Sequence, residues 1–202
     1  MKRKPKRVGR LISIFFPRNI LKILNKLESM TFSIDRTEEL SRLIKSRDVK
    51  FFVEVGVYNG YNLLTLANRF PDVKFIGIDP YFDGEYNERY ELQNKEYWDN
   101  KFLQVQSKAK KLGNVELIRK SSLDAVKDFK DDSIDVVFID AIHTYKDCKD
   151  DINHWLRVVK KGGTLSGHDY SVKFFGVIMA VNEILGVDNI RIGQDSTWFL
   201  KK

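Results

Sequence analysis

From Phe51 onward the apolar positions of this chain alternate between two rhythms. The run FFVEVG at 51–56 is short, apolar and rich in aromatic and β-branched residues. YNLLTLANRF at 61–70 spaces its apolar residues as a helix does, and VKFIGID at 73–79 is a second short apolar run. Strands apolar on both faces and joined through a helix form the βαβ unit of a parallel sheet, in which helices cover both faces. The alternation continues with helices between residues 87 and 112, a strand at 115–118 and a helix at 123–129. The strand IDVVFID at 134–140 follows, then a helix at 146–159, the turn KKGG, a strand at 164–166 and a helix around 177–185. Two β-like segments, 190–192 and 197–200, close the chain.

Five βα repeats followed by a β pair predict an α/β fold. Its sheet is Rossmann-like, doubly wound, mostly parallel and seven-stranded, with a C-terminal antiparallel β hairpin. Residues 37–46 also read as a helix, with Glu38 and Glu39 early and Arg42 and Lys45 late, as the helix dipole favours. Ahead of it, Ile20, Ile23, Leu24 and Leu27 give 18–28 an amphipathic helical pattern behind an MKRKPKR tail. The expected organisation is a basic arm with amphipathic helices at 1–45 and a ligand-binding domain at 46–202.

Charge changes the picture only once it is located. The net charge of +7 belongs to residues 1–30, where nine basic residues face the single acid Glu28, and the remainder of the chain is nearly neutral. Such an arm suits weak contact with an anionic membrane surface or a nucleic acid, but charge runs of this kind are more often solvated, which favours a solvated tail followed by a helix packed on the domain. The lone cysteine, Cys148, excludes an intrachain disulfide and favours a reducing, cytoplasmic setting. No apolar run reaches the ~20 residues of a membrane-spanning helix. Nothing in the pattern speaks to oligomeric state.

In a doubly wound sheet the ligand lies beyond the carboxyl ends of the strands. After the first predicted strand stand Glu54, Gly56, Tyr58 and Gly60. The glycines permit a tight turn and close backbone approach, but the spacing is not that of a dinucleotide fingerprint. An acid two positions before the first glycine suits a cationic ligand, and S-adenosylmethionine carries an ammonium and a sulfonium and no phosphate. A plain tight turn leaves the same trace.

Asp79 ends the second strand, where a carboxylate can accept both ribose hydroxyls of a nucleoside. Ser121 and Ser122 follow the third; a hydroxyl there can reach an adenine or simply cap the next helix. The fourth strand ends in Asp140 with His143 three residues on, a carboxylate beside an imidazole able to take a proton near neutral pH. Asp169 ends the fifth, and Asp140 and Asp169 could share Mg2+ or a similar hard cation, or be separately solvated. Asp140, His143 and Asp169 are the catalytic candidates. The acceptor would be a small molecule, with 81–113 and its Tyr86, Tyr90, Tyr97 and Trp98 supplying selectivity or forming one packed helix face.

The segments VEVGVYNGYN, FIGIDP and DVVFIDAIHTYKDCKDDINHWLRVVKKGGTLSGHDY resemble class I S-adenosylmethionine-dependent methyltransferases. The similarity is greatest to the small bacterial-type group related to catechol, caffeoyl-CoA and macrolide-sugar O-methyltransferases. It runs from about Phe51 to the C-terminus. It implies that Glu54, Gly56 and Gly60 form the methionine-side loop, that Asp79 holds the ribose and that Ser122 lies at the adenine. It also implies metal aspartates at Asp140 and Asp169. The catechol-type lysine base is His143 here, and the asparagine ligand is Tyr170, a departure that bears on the metal. The TWFL segment matches the last strand of that group, with Trp198 in the core. Against an O-methyltransferase stand a nucleoside-binding module without turnover, recruited by its arm, and an RNA methyltransferase guided by it.

Overall fold

The computed structural model describes residues 35–81 and 94–202. The 18–28 segment, Tyr86 and Tyr90 lie outside them. Seven strands form one sheet: β1 (Phe51–Val55), β2 (Lys74–Ile78), β3 (Val115–Ile118), β4 (Ile134–Ile139), β5 (Val159–Gly167), β6 (Ile190–Ile192) and β7 (Trp198–Lys201). Their order is β3-β2-β1-β4-β5-β7-β6. The first five are mutually parallel, and β7 runs antiparallel to both β5 and β6. The predicted doubly wound sheet with its terminal hairpin is therefore present.

The helices follow the apolar rhythm. Helix α1 (Arg36–Lys45) is capped by Asp35, whose side chain accepts from the Glu38 amide. It contributes Leu40 and Ile44 to a cluster with Leu63 and Leu66 of α2 (Tyr61–Arg69) and Val105 of α3 (Lys95–Leu112). Phe52, Phe75 and Phe138, from β1, β2 and β4, enter the same cluster. The alternate residues Val53, Val137 and Ile139 are buried outside it, as the two-residue period of a strand requires. Helix α4 (Ser122–Ala125) is short. Helix α5 (Tyr145–Val158) packs on β4, β5 and α6 (Phe175–Leu185) with Trp155 fully buried.

Two expectations are corrected. The 123–129 helix breaks after Ala125 into a three-residue 3-10 turn, because the segment is too short to pack a longer helix. The KKGG turn lies inside β5, which begins directly after α5. Val159 pairs with Ile134 and Thr164 with Val136, so an irregularity absorbs the intervening residues. Trp198 is 2% exposed and is a core residue, as expected. No helix among the described residues is long and apolar enough to cross a membrane.

Candidate active site

The carboxyl ends of β1 to β5 open on one cavity of about 680 Å³, within the range of small-molecule sites. Of the residues singled out in the sequence, Glu54, Gly56, Tyr58, Asp79, Ser121, Ser122, Asp140, His143 and Asp169 all line it. Gly60 does not. It starts α2 at φ +74°, and a Cβ there would lie 2.8 Å from Val105 Cγ1, so this glycine serves the packing of α2 against α3.

At one end Glu54, the last residue but one of β1, is 2% exposed, with Oε2 accepting from Asn62 Nδ2 at 2.9 Å. Burial, joined by the nearby Asp140, pushes its carboxyl up to about 8 against the lowering influence of Asn62 and Arg36. An interior acid of this kind is costly until a cation or proton reaches it. Gly56 adopts φ +91°, and a Cβ would fall 2.1 Å from the Asp140 carbonyl oxygen, so only glycine lets the β1 and β4 ends approach this closely. Tyr58 holds φ +49° shortly after it, an uncommon backbone for a bulky residue.

Asp79 explains how that turn is held. Its Oδ2 accepts from the Val57 and Tyr58 amides at 3.0 and 2.8 Å, and its Oδ1 from the Tyr81 amide at 2.8 Å. Burial raises its pKa, opposed by these three donors. A carboxylate offers about four acceptor positions, so Oδ1 retains room for one further donor.

At the β3 end Ser121 caps α4, accepting from the Asp124 amide at 3.2 Å. The Ser122 hydroxyl donates to Asp151 and accepts from Trp155 Nε1 at 2.8 Å, so both of its roles are used within the protein. Asp151 also lines the cavity, and its carboxyl is pushed up to about 6 by burial, Ser122 opposing. Sequence reasoning missed this acid because it sits on α5, far in the chain from the Ser122 it binds. Trp98 is buried in the core and also borders the cavity. Tyr97 meets Tyr58 hydroxyl to hydroxyl at 2.9 Å.

The β4 and β5 ends gather the reactive groups. His143 Nε2 lies 2.5 Å from Asp169 Oδ2, and its ring packs on Phe174 at 4.4 Å between centroids. His168 Nδ1 lies 3.6 Å from Asp140 and 3.3 Å from Asp169, and its Nε2 is 3.4 Å from Asp195. Burial works to lower the His168 pKa, but the Asp140, Asp169 and Asp195 carboxylates outweigh it and raise it to about 11. Burial likewise favours the neutral form of Asp169, and His143 and His168 overcome it, holding that carboxyl well below its ordinary range. Asp169 itself sits at φ +59°.

Ligand atoms of Asp140, His143 and Asp169 all fall within 4.8 Å of one another, which fits a divalent cation. Tyr170 is not in this group: its hydroxyl donates to Asn182 Oδ1 at 2.8 Å, and the third potential ligand atom is offered by His143. An imidazole in the set broadens the suitable ions from Mg2+ toward first-row transition metals. Arg36 Nε, 3.1 Å from Asp140 Oδ2, is already a cation at this group. Neither Arg36 nor Asp195 was visible as a site residue, since each reaches the sheet edge only through tertiary packing.

Residues 53–170, more than half of the chain, match the family model described as "Methyltransferase domain". This chain belongs to that methyltransferase family. It is 30% identical over 163 residues to Tapetum-specific methyltransferase 1 of Arabidopsis thaliana, an alignment covering 79% of this chain and 63% of that protein. The methyltransferase chain thus spans less than two thirds of this curated relative. Among solved structures it is similar to the O-methyltransferase TomG of Streptomyces achromogenes, crystallised with SAM. That match has a TM-score of 0.59 and 14% identity, and covers 96% of each chain. An O-methyltransferase of Bacillus cereus in complex with SAH matches with a TM-score of 0.57 and 14% identity, over 96% of this chain and 97% of that one. At these identities the similarity shows the class I methyltransferase fold, in agreement with the sheet order.

Proposed function

We propose that this chain transfers the methyl group of S-adenosylmethionine to a hydroxyl of a small-molecule acceptor. The observation that carries the reading is Glu54, a buried carboxylate on the cavity wall beside a turn that only Gly56 permits. That end calls for a cation, and nothing in it resembles a phosphate cradle. The SAM and SAH carried by the two similar O-methyltransferase structures support the same cofactor.

Glu54 and Asp140 would hold the ammonium of the cofactor, the remaining acceptor position of Asp79 Oδ1 would take a ribose hydroxyl, and Asp151 would face the adenine edge. When bound, the cofactor supplies a sulfonium-activated methyl group open to direct displacement. The protein's task is to align the acceptor, keep water out and receive a proton. Asp169, held ionised, favours the proton of His143 on Nε2 and leaves Nδ1 to take the proton of the acceptor hydroxyl. In the alternative use of these side chains, Asp140, His143 and Asp169 would together hold a divalent cation, which would lower the proton affinity of the acceptor oxygen in place of the histidine base.

The test is calorimetric titration with S-adenosylmethionine, with and without Mg2+ or Mn2+, together with radiolabelled methyl transfer to a panel of hydroxylated small molecules. Wild type binds. Asp79→Ala loses binding, and His143→Ala keeps it while losing about 10²- to 10⁴-fold in transfer rate. A folded wild type that fails to bind overturns the proposal; binding without transfer by any hydroxyl acceptor would favour the nucleoside-binding module.

A further inference from the structure

The cavity's cofactor end holds two acids and one guanidinium, and the arrangement of the three is built by the fold. The Arg36 amide donates to Asp195 Oδ2 at 3.1 Å, and Asp35 caps the same helix. Glu39, buried in the next turn, takes Arg191 Nη2 at 3.1 Å and the Gln194 amide at 3.3 Å. These contacts fix the start of α1 against the turn before β7 and aim the Arg36 side chain at the carboxyl edge of the sheet. There its Nε stands 3.1 Å from Asp140 Oδ2, with the side chain about one third exposed. Among the described residues the guanidinium has no ion-pair partner other than Asp140. The other Lys or Arg on the cavity wall, Lys173, lies over the Phe174 ring on which His143 packs, and so belongs to the acceptor side.

An amino acid ligand carries its ammonium and carboxylate on one carbon. If Glu54 and Asp140 take the ammonium, the carboxylate falls within a few ångströms of them, where two acids would repel it. We propose that Arg36 is the group that receives the α-carboxylate of the cofactor, so that the N-terminal helix completes the binding site of the sheet. This rests on the cofactor reading above. A planar guanidinium suits the task because it can offer a carboxylate two parallel N–H donors while one edge stays on Asp140. Zwitterion recognition then comes from three residues separated widely in sequence, and a nucleoside lacking the amino acid part would forgo it.

The full-length chain is titrated with S-adenosylhomocysteine and with its decarboxylated analogue, using wild type, Arg36→Met and Arg36→Lys. A charge-assisted contact of this kind is worth about 10- to 100-fold in affinity. Arg36→Met and loss of the ligand carboxylate should each cost that much, and both together should cost no more than either alone. Arg36→Lys should recover part of the loss, since it keeps the charge and not the fork. Thermal unfolding of each variant confirms the fold. If Arg36→Met binds S-adenosylhomocysteine as wild type does, or if removing the carboxylate costs as much in Arg36→Met as in wild type, the inference fails and the cofactor reading stands. If folded wild type does not bind S-adenosylhomocysteine at all, both fail.

Discussion

Glu54 couples binding, stability and pH in a single side chain. Its folded pKa, about 8, lies above the ordinary carboxyl value, so the folded chain holds a proton there that the unfolded chain releases. The stability this contributes is present below about pH 4.5 and is lost as pH rises through 8, at about 1.4 kcal/mol for each pH step between the two. Glu54→Gln removes the dependence while its amide oxygen can still accept from Asn62. In thermal melts without ligand, the variant should gain on wild type steadily from about pH 5 to about pH 8.5. A constant difference across that range would show that Glu54 is already ionised in the folded chain. The glutamate is readable in the sequence as an acid before a glycine turn. Its burial, and its partner Asn62 further along the chain, are not.

At the scale of elements, the strand ends converge because β1 and β4 are neighbours and Gly56 lets them touch. A methyl group at position 56 would meet the Asp140 carbonyl, and alanine would also have to hold φ +91°. Gly56→Ala should therefore cost about 1–3 kcal/mol of stability or more, and weaken S-adenosylmethionine at least about tenfold by displacing the turn that Asp79 organises. Unfolding midpoints and titration check the two effects separately. An unchanged affinity would mean that the turn does not shape the cofactor end. Strand positions were legible because buried parallel strands are short apolar runs, and 115–118 is recovered residue for residue. The 123–129 helix and the KKGG turn were misjudged. Propensity does not report how much room a segment has to pack, nor that an irregular pairing can carry a glycine pair within a strand.

At the scale of the whole molecule, charge and chemistry are separated along the chain. The excess of basic residues lies in 1–30, whereas the cavity is lined by acids with Arg36, Lys173 and histidines among them. Cofactor binding within the domain should change less than about twofold on removing residues 1–17, and salt should act on it weakly because buried pairs are little screened. Titrations of both forms at low and high salt test this. A large loss on truncation would show that the arm takes part in cofactor binding. Association of the arm with anionic vesicles or RNA, if it occurs, should fall steeply with salt in the full chain and disappear in the truncated one.

The sequence by itself determined the order of strands and helices, the sheet class and the acids and histidines at the strand ends. Those properties are local: apolar periodicity sets the elements, and a doubly wound sheet places strand-end residues at one edge. Only the tertiary structure decided that Arg36 and Asp195 join Asp140 and His168, that Ser122 is committed to Asp151 and Trp155, and that Tyr170 turns toward Asn182. These partners are tens of residues or more apart except for Tyr170 and Asn182, and no local pattern records which way a side chain will point once helices pack on the sheet. Hydrogen bonds and charges in the interior are settled by distances that come into being only when the core closes.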